Sequence, residues 1–395
     1  MSTVAAAFAA LRPQAPDPLL SLIKLFRDDP RAEKLDLGVG VYRDEAGATP
    51  VFHAVKQAEA LLLSSQQTKS YLGPEGDHEF LEVLKPIVFG ARGADGFFAV
   101  QTPGGTGALR LAAELAAAGR PGARIWLGTP SWPIHRNIFE AAGLHVETYP
   151  VFDAATQRLL FGAMVQALEG AAPGDIVLMH GCCHNPTGAD PSAEEWRVIA
   201  DLLSRRGLVP LVDLAYQGLG GGLAEDAAGL RLLADACDEM IVAYSLDKNF
   251  GLYRERTGAL FVRSCDHHEL VRANLLQLAR CLWSMPPDHG AAVARIILQD
   301  EALTGRWLAE LSVMRRRLRE VRGLLGAAIP ALAPLAEHNG LFALLPLRPD
   351  QVERLRSEHG VYMAGSGRIN LAGLTAATAP AFTQALKSCF EETPV

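Results

Sequence analysis

Residues 175–218 read DIVLMHGCCHNPTGADPSAEEWRVIADLLSRRGLVPLVDLAYQG. Two apolar runs, Asp175–Met179 and Val209–Val212, flank an amphipathic stretch of helical length, Ser192–Arg206. That stretch follows Pro191 and has Glu195 three residues after Ser192, the spacing of a capping box. Strand, helix, strand in this order predicts an α/β fold. The strands are continuous apolar runs rather than alternating ones, which predicts a parallel sheet covered on both faces. Outward from this stretch, Arg124–Leu127, Glu239–Ala243 and Ala259–Val262 are further short runs between turn residues, and they extend the same sheet.

The chain has 395 residues, 49% hydrophobic and 21% charged, enough for a large core divided between two domains. Lys+Arg 37 against Asp+Glu 44 gives a net charge of −7, so there is no basic field to hold nucleic acid or an anionic membrane. No apolar stretch approaches the roughly 18 residues needed to cross a bilayer. The Ala-rich start Val4–Leu11 has no basic segment ahead of it, so the expectation is a cytoplasmic protein. Six cysteines (Cys182, Cys183, Cys237, Cys265, Cys281, Cys389) are too sparse for a disulfide framework and are expected as free thiols. Ala302–Gly326 reads as one extended helix, with Arg315, Arg316, Arg317 and Arg319 on a solvated face. Beyond it the pattern shortens to Leu341–Leu345, Pro349–His359 and Ile369–Leu371. This predicts a large domain over 48–312 and a smaller one built from 313–395, to which the N-terminal segment 1–47 returns.

Missing motifs narrow the chemistry. There is no G-x-x-x-x-G-K-[ST], no H-E-x-x-H and no G-x-S-x-G. Gly38-Val-Gly40 and Gly105-Thr-Gly107 both lack the third glycine of a dinucleotide fingerprint, where Arg43 and Arg110 stand. In His180-Gly-Cys182-Cys183-His184 the cysteines are adjacent, without the spacing of a zinc site, and no metal is expected.

Three segments carry positive signals. Gln101-Thr-Pro-Gly-Gly105-Thr106-Gly leads straight into an Ala/Leu-rich helical stretch, Ala108–Ala118. Free N–H groups at a helix start, glycines and a hydroxyl make a phosphate cup, although the same residues also suit a plain loop with Thr106 as N-cap. Asp213 closes an apolar strand with Tyr216 three residues on; it reads equally as an acid facing a crevice or as an N-cap. Lys248 follows the run Glu239–Ala243 and is flanked by Ser245 and Arg256.

Together with Pro130-Ser-Trp132-Pro-Ile-His135, His184-Asn185-Pro-Thr-Gly188, Leu37-Gly38-Val-Gly40-Val-Tyr42, Thr68-Lys-Ser-Tyr71-Leu-Gly73 and Gly365-Ser-Gly-Arg368-Ile-Asn370, these segments resemble the fold-type-I pyridoxal-phosphate aminotransferases. The resemblance is closest to the aspartate/aromatic amino-acid subgroup and runs nearly the whole chain. It implies a large cofactor domain with a mostly parallel seven-stranded sheet, a smaller α/β domain, and a homodimer.

The resemblance further implies that Lys248 binds the pyridoxal 5'-phosphate aldehyde and moves the substrate proton. Asp213 would pair with the ring nitrogen, Tyr216 and Asn185 with the ring hydroxyl, and Trp132 would stack on the ring. His135 and His180 would orient Asp213. Gly105, Thr106, Ser245 and Arg256 would hold the phosphate, with Tyr71 reaching across from the second subunit. Arg368 would bind the substrate α-carboxylate beside Gly40, and Arg280, again across the interface, a distal carboxylate. The implied reaction is ping-pong transamination of aspartate or aromatic amino acids with 2-oxoglutarate; the alternative is elimination, replacement or C–C bond formation on the same fold.

Three positions depart from the pattern. Asp247 precedes the lysine where the family usually has serine, and Trp283 and Met285 stand where tyrosine and asparagine are common. A carboxylate about 4–5 Å from a phosphate dianion costs on the order of 6–8 kcal/mol at an effective dielectric of about 20. Asp247 must therefore turn away, pair with an arginine, or go with a displaced cofactor.

Overall fold

A seven-stranded sheet organises the chain in this computed structural model, which describes residues 8, 11–13, 18–91, 93–264 and 266–391. Cys265 and most of Val4–Leu11 lie outside the described residues. The strands are β1 Phe97–Pro103, β2 Arg124–Thr129, β3 His145–Pro150, β4 Ile176–His180, β5 Val209–Leu214, β6 Met240–Ser245 and β7 Thr257–Arg263, in the spatial order β1-β7-β6-β5-β4-β2-β3. All five runs expected from the sequence are strands of this sheet. The two not expected are β1 and the edge strand β3, whose HVETYP sequence is mostly exposed and so never needed an apolar run.

The chain is α/β and the sheet mostly parallel, with one correction. The Ala259–Val262 run, inside β7, is antiparallel to both neighbours, β1 and β6. Alternate residues explain the continuous apolar runs. Val177, Met179, Val212 and Val242 belong to one core cluster, while Ile176, Leu178, Leu211 and Ile241 belong to the cluster on the other face. With both faces covered, both alternating sets of central-strand residues are apolar, and buried polar residues such as His180, Asp213 and Ser245 come at the strand ends.

The expected helix between β4 and β5 runs Ala193–Arg206. Ser192 is its N-cap, the Ser192/Glu195 capping box is complete, and Gly207 closes it in the left-handed region at φ 62°. The long helix spans Glu301–Ala328. Its arginines are not simply a solvated row, which corrects the expectation. Arg317 is buried, pairs with Glu45 at 2.6 Å and donates to the Leu374 carbonyl at 2.6 Å. Arg315 donates to Gly218 O and Arg319 to Gly220 O, each at 2.9 Å. Loop carbonyls outside the sheet ladder need donors, and this helix supplies them.

Residue 313 falls inside that helix, which continues unbroken past it. Further along, Phe342–Leu344 pairs antiparallel with Arg368–Asn370, Pro349–His359 is a helix, and Leu35–Asp36 pairs parallel with Val361–Tyr362. Among the described residues no helix is long and apolar enough to cross a membrane, and Cys182, Cys183, Cys237, Cys281 and Cys389 are free thiols.

Candidate active site

The sheet brings the chemistry to one edge. β4 and β6 end there at His180 and Ser245, Asp213 is the next-to-last residue of β5, and His180 and Asp213 are register partners. Because β7 runs the other way, it begins at that edge, and Gly258 pairs with Ser245. Arg256, just before β7, thus arrives beside the ends of its neighbours. Helix Gly104–Gly119 starts at the same edge directly after β1. Its N-cap position is Pro103, without a side-chain cap, so Thr106 lies in the first turn and its hydroxyl is not spent on capping. The close approach needs glycine: a Cβ on Gly258 would sit 2.5 Å from Tyr244 O and 2.6 Å from Gly104 C, backbone atoms that cannot yield.

These ends enclose a cavity of about 300 Å³ lined by Gly40, Gly105, Thr106, Trp132, His180, Asn185, Asp213, Tyr216, Ser245, Asp247, Lys248, Tyr253, Arg256, Phe342 and Arg368, among others. Asp213 is buried and its Oδ2 meets His135 Nε2 at 3.0 Å. His135 is in turn oriented by Ser131 Oγ, 2.8 Å from Nδ1. Burial works to raise the Asp213 carboxyl, but the His135 hydrogen bond and the nearby Lys248 amine help to outweigh it and hold the group below the ordinary carboxylate range. Burial pushes the Lys248 amine down; Asp247 and Asp213 pull it back up, and Arg256 lowers it further. Lys248 Nζ lies 5.4 Å from the Tyr216 ring centroid. His180, buried beside His135, is lowered to about 4 and stays neutral.

Arg368 is aimed into the cavity by Gly38 O, which accepts from Nη2 at 2.9 Å, and by the Phe342 ring, 4.7 Å from the guanidinium. Its Nε has no partner in the protein, nor has the buried Asn185 Oδ1. Both residues line the cavity, and each keeps one buried polar atom unspent.

The family model described as "Aminotransferase class I and II" matches residues 32–386. The chain is a class I/II aminotransferase. A tyrosine aminotransferase of Rhizobium meliloti (strain 1021) is 55% identical over 380 residues, covering 94% of this chain and 97% of that protein. The aspartate aminotransferase of Escherichia coli (strain K12) is 44% identical over 371 residues, 91% of this chain and 94% of that one. Among solved structures, an aromatic-amino-acid aminotransferase from Burkholderia pseudomallei, covalently bound to pyridoxal phosphate, superposes with a TM-score of 0.94 at 35% identity, covering 97% and 99% of the two chains.

Within this aminotransferase most of the site residues expected from sequence line the one cavity: Gly40, Gly105, Thr106, Trp132, Asn185, Asp213, Tyr216, Ser245, Lys248, Arg256 and Arg368. Tyr71 and Arg280 do not. Tyr71 is 93% exposed, and Arg280 is an exposed residue on helix His268–Leu282 whose Nη1 donates to Ser284 Oγ at 3.0 Å. Asp247 pairs with Arg256, Oδ2 to Nη1 at 2.5 Å. Sequence reasoning did not single out Tyr253 or Phe342. Tyr253 OH accepts from Tyr42 N at 2.9 Å, and Phe342 backs both Arg368 and the Tyr216 ring, whose centroid is 6.1 Å away. An aromatic in a short strand carries no chemical signature, so only the fold could place Phe342 there.

Among the described residues, two groups bring potential metal-ligand atoms together, His135/His180/Asp213 and Cys182/Cys183/Asp226. Each has another account. Asp213 is engaged by His135, and Asp226 accepts from the backbone N–H groups of Gly218, Gly220 and Gly221 at 2.6–2.9 Å. Burial raises the Cys182 thiol well above its usual range, away from the thiolate a metal requires.

Proposed function

We propose that this aminotransferase uses pyridoxal 5'-phosphate to transfer the amino group of aromatic amino acids or aspartate to 2-oxoglutarate, in a ping-pong sequence. The observation that carries the reading is one cavity holding an amine with a depressed basicity, Lys248, between a buried ionised acid, Asp213, and a half-satisfied arginine, Arg368. The cavity lining suits the cofactor: a helix start at Gly105 and Thr106, the Ser245 hydroxyl and Arg256 could take a phosphate, Asp213 a ring nitrogen, and Trp132 and Tyr216 supply aromatic surface. When bound, the cofactor supplies an electron sink for the bond broken at the substrate α-carbon.

Each side chain then has a task. Asp213, kept ionised by His135, holds a proton on the ring nitrogen. Lys248 would bind the cofactor aldehyde and, once released, carry the proton at the substrate α-carbon; burial lowers its amine below the ordinary lysine range, the direction a base needs. Tyr216 and Asn185 donate to the ring hydroxyl, and Trp132 covers the ring. Arg368, whose Nε has no partner in the protein, would take the substrate α-carboxylate in a two-point grip beside Gly40 and so orient the substrate for proton removal.

The exposed Tyr71 and Arg280 act across a homodimer interface, Tyr71 on the phosphate and Arg280 on a distal carboxylate. The large domain of 48–312 then carries the cofactor, and the unit of 1–47 and 313–395 carries Arg368. Borohydride reduction of the holoenzyme followed by peptide mapping tests the assignment, with the label expected on Lys248. Titration with aspartate, glutamate, phenylalanine and tyrosine, following the cofactor absorbance, ranks the substrates. Label on another residue, or no spectral change with any of the four, would overturn the reading.

A further inference from the structure

We propose that Asp247 makes the phosphate cup of this aminotransferase proton-coupled: the cofactor phosphate enters together with one proton from solvent, shared between the phosphate and the Asp247 carboxylate, so that cofactor affinity falls as pH rises. The inference rests on the pyridoxal-phosphate reading above.

The geometry leads to it directly. Asp247 lines the same cavity as Gly105, Thr106, Ser245 and Arg256, and it is buried. Its Oδ2 holds Arg256 Nη1 at 2.5 Å, and that same nitrogen donates to Tyr253 O at 3.2 Å. Its Oδ1 is buried with no partner in the protein. Ser245 Oγ accepts from Asp247 N at 3.3 Å, which ties the residue to the cup. One guanidinium is thus already balanced by one carboxylate before any phosphate arrives. The helix start at Gly104–Gly119 remains as the uncompensated positive end.

A phosphate placed against Arg256 and the helix start brings its oxygens beside a carboxylate that has an unspent oxygen. Two oxyanions at that separation lower their energy by sharing a proton, as carboxylate pairs do. Asp247 Oδ1 is the acceptor or donor this requires. The other groups facing Asp247 are Arg256, Lys248 and Tyr253. Tyr253 is pushed up to about 12 by burial and stays neutral. Elsewhere around the cavity stand Asp213, already engaged by His135, neutral His180, Tyr216, raised by burial, and Arg368. Burial lowers the Lys248 amine while Asp247 holds it up in part, so removing the acid lowers it further and takes positive charge from the cavity; that change opposes, rather than imitates, tighter phosphate binding by the variants.

The test compares the full chain, freed of cofactor, with Asp247→Asn and Asp247→Ser. Each is titrated with pyridoxamine 5'-phosphate, which cannot bond covalently to Lys248, by tryptophan fluorescence between pH 6 and pH 8.5. The parent and the variants should bind within about threefold of each other at pH 6, where the free phosphate already carries its proton. At pH 8.5 the variants should bind at least about tenfold more tightly, because the parent alone must take up a proton. The ³¹P resonance of the parent holoenzyme should move over this range, and that measurement stands even if neither variant folds. Equal pH slopes in parent and variants, or a ³¹P shift that does not titrate, would overturn the inference. Loss of the borohydride label at Lys248 would instead sink the functional reading on which it rests.

Discussion

At the scale of single residues, Arg368 and His338 make opposite kinds of statement about charge. Arg368 keeps its planar fork half free: Nη2 is spent on Gly38 O, Nε is unspent, and Phe342 supports its face. Lysine can supply the charge but not two parallel donors. Arg368→Lys is expected to lower kcat/KM for amino-acid substrates by about 10²-fold, equivalent to ~2–3 kcal/mol of charge-assisted hydrogen bonding, and steady-state kinetics would show it. His338 is buried, its Nδ1 has no partner, and burial lowers it to about 4 from 6.5. The unfolded chain therefore takes up a proton below about pH 6.5 that the folded chain refuses until near pH 4, so this group costs stability progressively as pH falls through that window. Buried Asp190 and Asp226, raised by desolvation, act in the opposite sense, so a difference measurement is needed. His338→Asn should lose less stability than the parent between pH 6.5 and pH 4 in denaturant titrations; equal losses would refute the account.

Individual elements place these residues. The helix Ala193–Arg206 connects β4, which ends at His180, to β5, which carries Asp213, and its two ends are set by the Ser192/Glu195 box and by Gly207. Ser192→Ala removes the oxygen that accepts from Glu195 N at 3.2 Å. The expected cost is ~1 kcal/mol of stability, seen as a lower denaturation midpoint with an unchanged denaturant slope and little effect on kcat. The antiparallel β7 has a larger structural consequence. It delivers Arg256 to the cavity, whereas a parallel strand here would have brought the other end of the strand, Arg263, there instead.

At the scale of the whole molecule, the cavity gathers eleven of the thirteen expected site residues in one protomer, and the two left out, Tyr71 and Arg280, are exposed. A closed two-fold dimer makes a simple prediction for them. Lys248→Ala and Arg280→Ala each fail with aspartate as substrate, but a hybrid of the two contains one site with both residues intact. Random reassociation of equal amounts should restore roughly a quarter of the parental activity. No recovery on mixing would show that Arg280 serves its own protomer or no substrate at all.

Much of this was written locally in the chain. The apolar runs around Asp213 and Ser245, the capping box at Ser192 and the glycines before Ala108 specify strands, a helix and a glycine-rich turn into a helix through interactions only a few residues long. The order of the motifs identified the family, and Lys248 and Asp213 are the lysine and the acid that the resemblance implies. Other features were not local. The direction of β7, the engagement of Arg315, Arg317 and Arg319 with distant carbonyls, and the place of Phe342 behind Arg368 all depend on segments far apart in sequence. The partner of Asp247 was of the same kind: the sequence left three options open, and the fold chose Arg256, nine residues on across a turn. Short-range hydrogen bonding and periodicity are legible in one dimension; which charge meets which, and which strand end faces the ligand, is decided only when the sheet closes around them.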